Sequence, residues 1–156
     1  MQISSMMAGL TEQRQEPLNG HSWSGTRSSA ISNRLDGRRY LVVEDEYLIA
    51  GELFMALEDA GAEVFGPLPD LDGVMEVLDE GGLVFDAAIL DINLHGILVY
   101  PAAKLLAARG TPFVFVTGYE HTSIPKEFAN APCLTKPVRL GKLIAILANL
   151  PQACPT

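Results

Sequence analysis

Five residues of this 156-residue chain have types and settings that could do chemistry: Glu44 and Asp45 in LVVEDE, Asp91 in ILDIN, Thr117 in FVTGY and Lys136 in LTKP. Each stands at the end of an apolar run. An ionised carboxylate at the end of a buried strand is costly unless it has a partner. Three carboxylates brought together repel one another unless a cation joins them, and hard oxygen donors without histidine or thiolate suit Mg²⁺. Mg²⁺ keeps several waters and binds through one or two carboxylates plus phosphate oxygens, which leaves a place for a phosphoryl group. Lys136 would supply that group with a point charge, and the Thr117 hydroxyl could donate a hydrogen bond to it. An aspartate between a metal and a lysine is well placed as a nucleophile toward phosphorus. Taken singly, each residue has a commoner meaning: acids that complement a helix dipole, a Lys-Pro turn, or turn chemistry before Gly118. Their joint placement favours the functional reading.

The elements that must position them follow from periodicity. YLVV (40–43) reads as a buried strand, and Ile49, Leu53, Leu57 and Ala60 then recur at helical spacing before Gly61. AEVFG gives a second strand, and Leu71, Val74, Met75 and Leu78 mark a helix closed by Gly81 and Gly82. Asp86 to Leu90 form the third strand; Pro101, Ala102, Leu105 and Leu106 give the next helix, with Gly110 after its end. PFVFV is a fourth strand, a short helix spans about 123–128, CLT is a brief fifth strand, and Leu140, Leu143, Ile144 and Leu147 line a last helix ending at Pro151. Wholly apolar strands separated by helices imply a doubly wound α/β domain, its parallel sheet covered on both faces. Ligands of such sheets bind beyond the carboxyl ends of the strands, where strand order reverses, so the five residues should converge there.

Composition bounds the rest. The length suits one domain with a real core. No apolar run approaches the eighteen or so residues of a membrane helix, and the N-terminus lacks a basic leader and an apolar segment, so a cytoplasmic location is expected. Residues 1–37, rich in Ser, Gly, Asn, Gln and Arg, read as a disordered tail in which Trp23 is the one possible docking feature. Residues 151–156 read as a C-terminal tail. Cys133 and Cys154 are too few for a disulfide framework and read as free thiols, with Cys133 a small core residue. The formal charge of −8 belongs to the chain after Gly37, which argues against nucleic acid or an anionic membrane as partner and favours a cation site.

The motifs LVVEDE, ILDIN, FVTGY and LTKP make residues 38–150 resemble a response-regulator receiver domain. The resemblance implies the CheY-like, flavodoxin-like (βα)5 fold with strand order 2-1-3-4-5. It further implies that Asp91 accepts a phosphoryl group from a histidine kinase, with Thr117 and Lys136 assisting. Glu44, Asp45, Asp91 and the Asn93 backbone carbonyl would form the Mg²⁺ site, Glu44 largely through water. Asn93 and Tyr119 would flank the path of the water that attacks the aspartyl phosphate, and the Lys136–Pro137 bond is often cis in this family.

Some features depart from the common receiver pattern. The position three before the lysine, usually an aromatic switch, is Cys133, which cannot perform that swing; Tyr119 is expected to take over part of the role. PFVFVTGY and YPAA resemble the single-domain receivers nicknamed FAT GUY, often associated with HWE-type histidine kinases and general stress signalling in alphaproteobacteria. With the chain ending soon after its last helix, output is expected through another protein or as a phosphate sink, and the protein is expected not to be an enzyme in its own right. His95 reads as a solvent-facing loop residue, and His21 and His121 have no partners in view. A haloacid-dehalogenase-type phosphatase is the rival from another class, but it wants an acid two residues after the nucleophile, where Asn93 stands. A receiver inactive in phosphorylation and used as a binding module is a second rival, disfavoured by the presence of all five residues.

Overall fold

A computed structural model describes residues 34–118 and 124–151. Strand β1 (Arg39–Val43) leads into helix α1 (Tyr47–Asp59), then β2 (Glu63–Leu68), α2 (Leu71–Asp79) and β3 (Ala87–Asp91). A two-residue pair, β4 (Asn93–Leu94) and β5 (Ile97–Leu98), precedes α3 (Tyr100–Ala108), β6 (Phe113–Thr117), a 3₁₀ turn (Lys126–Phe128), β7 (Cys133–Thr135) and α4 (Leu140–Asn149). The main sheet is parallel and runs β2-β1-β3-β6-β7, which is the expected 2-1-3-4-5 once the small β4/β5 pair is set aside.

Side chains alternate between two cores. Leu41, Val43, Leu90 and Phe115 face α2 and α3, whereas Tyr40, Val42, Ile89 and Val114 face α1 and α4. Every residue of β3 and β6 is buried, as central strands covered on both sides must be. The N-terminal turn joins this unit: Leu35 is buried and its amide donates to the Ala60 carbonyl at 3.0 Å, although most of the expected tail lies outside the described residues. Gly66 permits the close approach of β2 to β1. At φ +112 it adopts a backbone that side chains rarely allow, and a Cβ there would lie 2.5 Å from the Val42 carbonyl oxygen.

Three local expectations change. The third strand begins one residue later than expected, because Asp86 turns aside to accept the Arg39 amide at 2.8 Å. The described part of the short helix near 123–128 is a single 3₁₀ turn entered through Pro125, whose missing N–H and fixed φ suit a turn start. Cys133 is exposed rather than core, since on a three-residue strand the alternation gives the one buried position to Leu134. The Lys136–Pro137 peptide is cis, as the resemblance implies.

Candidate functional site

Strand register gathers the chemistry. β1 and β3 lie side by side with Val43 level with Leu90, so Glu44 leaves the sheet where Asp91 ends its strand. Asp91 pairs in register with Val116, Thr117 with Thr135, and the Lys136 amide donates to the Thr117 carbonyl at 2.8 Å. The chain goes from β1 outward to β2 and then back to β3, so Glu44, Asp45 and Asp91 flank the point where strand order reverses. Glu44, Asp91 and Thr117 are buried, at 2%, 4% and 6% exposure.

Lys136 is the hub. Its Nζ donates to Asp91 Oδ2 at 2.7 Å, Glu46 Oε1 at 2.8 Å and Glu44 Oε1 at 3.0 Å. Burial pulls the lysine toward neutrality, but these charge-assisted bonds to Asp91, Glu46 and Glu44 outweigh it and hold its pKa above the ordinary value. Burial pushes Glu44 up to about 7, against the opposing hydrogen bonds from Lys136 and from the Glu46 amide. Three carboxylates thus meet one ammonium with Asp45 beside two of them, and the excess of negative charge calls for another cation.

The donor set fits Mg²⁺. Glu44, Asp45 and Asp91 each offer an oxygen, all within 4.8 Å of one another, and Glu44 Oε2 is buried with no hydrogen-bond partner among the described residues. Hard oxygens of this number and spacing suit a small divalent cation. The β4/β5 pair closes the rim of the cleft. Asn93 donates its backbone N–H to Asp91 Oδ1 at 3.0 Å, while its own Oδ1 accepts from the Gly96 amide at 2.6 Å. His95 donates its amide to Asp45 Oδ2 at 2.9 Å and holds Nδ1 3.2 Å from the same oxygen.

No protein-family model and no curated protein matches the chain. Among solved structures it is similar to SdrG from Sphingomonas melonis Fr1, at 36% identity and TM-score 0.62, over 76% of this chain and 99% of that one. A response regulator receiver protein from Sinorhizobium medicae WSM419 aligns at 21% identity and TM-score 0.60, over 72% and 94% of the two chains. The receiver domain of the sensor histidine kinase PA1611 from Pseudomonas aeruginosa PAO1, which holds a magnesium ion coordinated in its active-site cleft, aligns at 22% and 0.60, over 71% and 94%. The chain belongs to the response-regulator receiver family. The phosphatase reading falls with that assignment.

Within this receiver, Glu44, Asp45, Asp91, Asn93 and Lys136 meet at one cleft, Thr117 ends β6 with its carbonyl bonded to the Lys136 amide, and Tyr119 lies outside the described residues, as do Trp23, His21, His121 and Cys154. At the expected switch position, the surroundings of the Cys133 sulfur push its thiol up although the residue is exposed. The aromatic packing nearby belongs to Tyr100, which stacks on Phe128 at 6.0 Å and meets Phe115 edge-on at 6.0 Å. Two members of the site were missed by sequence reasoning. Glu46 is visible as the third acid of EDE, and His95 is solvent-facing as expected, at 71% exposure, but also touches Asp45.

Proposed function

We propose that this receiver works as a phosphoacceptor in a two-component relay, taking a phosphoryl group from a histidine kinase onto Asp91. The bond from Lys136 Nζ to Asp91 Oδ2 at 2.7 Å carries the reading, because it orients one carboxylate oxygen and stores a positive charge beside it. Asp91 attacks the phosphorus of a phosphohistidine, the P–N bond breaks, and the imidazole leaves with the electron pair and takes up a proton. Lys136 then exchanges a carboxylate for the phosphoryl oxygens, and Thr117, buried at the end of β6, offers its hydroxyl to them. Glu44, Asp45, Asp91 and the Asn93 carbonyl would hold Mg²⁺, which when bound neutralises charge on the transferring group. The magnesium ion reported for the PA1611 receiver supports that choice.

Asn93 and Tyr119 tune the lifetime of the aspartyl phosphate, and Tyr119 takes part of the switching role that Cys133 cannot perform. The protein acts as a signalling element, not as an enzyme with its own turnover, and passes its state to another protein or serves as a phosphate sink. Its setting is cytoplasmic, beside a kinase for which the HWE type is the leading candidate. Among the described residues no helix is long and apolar enough to cross a membrane. Incubation with a phosphorylated histidine kinase tests the reading. Phosphate should move to the wild-type chain in Mg²⁺, should not move in EDTA, and should not move to Asp91→Asn; transfer to Asp91→Asn at the wild-type rate would reject it.

A further inference from the structure

Asp45 differs from the other two carboxylates of the cation cluster in lying at its rim: its side chain is 13% exposed, against 0% for Glu44 and 5% for Asp91. A rim carboxylate can rotate toward water, and its value as a ligand then depends on what holds it. His95 supplies two groups to a single oxygen, its backbone N–H at 2.9 Å and its Nδ1 at 3.2 Å from Asp45 Oδ2. The turn that presents them is built for the purpose. His95 sits at φ 51 and Gly96 at φ 89, so both central residues of the β4/β5 hairpin are left-handed, and the Asn93 side chain clamps the turn through the Gly96 amide at 2.6 Å. A turn requirement alone would be met with less strain by Gly or Asn at position 95. Histidine also tolerates this backbone, so the turn does not dictate the residue, and what histidine adds is a ring whose Nδ1 reaches Asp45.

We propose that His95 is a positioning residue: its imidazole and its backbone amide fix the Asp45 carboxylate, so that this rim ligand meets the divalent cation already oriented. The inference rests on the cleft being a Mg²⁺ site. It predicts a dependence of metal affinity on a side chain that touches Asp45 and none of the other cluster carboxylates among the described contacts.

Mg²⁺ titration of the ¹⁵N-labelled full chain, followed through the Ile92 and Asn93 amides, tests it on wild type, His95→Gly, His95→Asn and Asp45→Asn. His95→Gly keeps the left-handed turn and its amide bond but removes the ring, and should raise the Mg²⁺ dissociation constant about tenfold, the low end for outer-shell groups. His95→Asn, which tolerates the same backbone and keeps a polar side chain, should recover part of that loss with an unchanged thermal midpoint. A fall in affinity without a fall in stability separates positioning from a merely structural role. If His95→Gly binds within about twofold of wild type while Asp45→Asn loses binding, the metal site stands and the role of His95 is overturned. If Mg²⁺ moves no amide in the wild-type chain, the metal reading and this inference fall together.

Discussion

Lys136 holds three carboxylates through bonds of 2.7, 2.8 and 3.0 Å, so its removal should be felt well beyond charge balance. Lys136→Met leaves Glu44 and Asp91 buried without their ammonium, and urea unfolding in metal-free buffer should show a loss of about 3 kcal/mol. Glu44 gives a pH signature of its own. Its ordinary pKa is 4.5 and the folded value about 7, so its contribution to stability is full below pH 4.5 and is lost as pH rises through 7. In EDTA, the stability of the wild type against unfolding should therefore fall between pH 5 and pH 8 by more than that of Glu44→Gln, and identical slopes would refute the assignment. The residues legible in sequence, Glu44, Asp45, Asp91, Thr117 and Lys136, share one property: each ends or follows a strand of the main sheet, so topology alone brings it to the sheet's carboxyl edge. His95 lacks that property. Its contact with Asp45 spans 50 residues and depends on a turn backbone that periodicity does not reveal.

Among the elements, the four α-helices and the five strands of the main sheet could be read from apolar spacing, because each buries a continuous face. The β4/β5 hairpin could not, since two-residue strands are too short to carry a period, and its signal lay only in Asn93 and Gly96 around the turn. The described part of the expected helix near 123–128 is a 3₁₀ turn for a related reason, with Phe128 as its buried residue and a proline at its entry. Register at the sheet edge makes a sharp test. Gly66→Ala would set a Cβ against the Val42 carbonyl oxygen while forcing a left-handed backbone on alanine. It should cost more than about 1 kcal/mol in chemical denaturation, and an unchanged midpoint would show that β2 can shift without loss.

At the scale of the whole molecule, the site joins β1, β3, β6 and β7, so a phosphoryl group on Asp91 would be felt across the sheet and at the segment between β6 and β7. The described part of that segment is held by a few turn bonds, among them Phe128 to Pro125 and Ala131 to Phe128 at 2.9 Å each, and by ring packing of Phe128 on Phe113, Phe115 and Tyr100. A single turn so held should open at lower cost than the sheet. Hydrogen exchange with beryllofluoride and Mg²⁺ should thus change protection over residues 124–131 while the strand cores stay as they were, and equal protection in both states would show that this segment does not respond to the site. The account depends most on Asp91 being the atom-level acceptor. Borohydride reduction of the chain after reaction with acetyl phosphate and Mg²⁺, followed by peptide mapping, reads this directly, because an acyl phosphate is reduced to the alcohol of the residue that carried it, homoserine for aspartate. Homoserine at position 91, absent without Mg²⁺, is the predicted result; homoserine at position 45, 2-amino-5-hydroxyvalerate at position 44, or no reduced residue at all with the chain folded and Mg²⁺ bound, would contradict it.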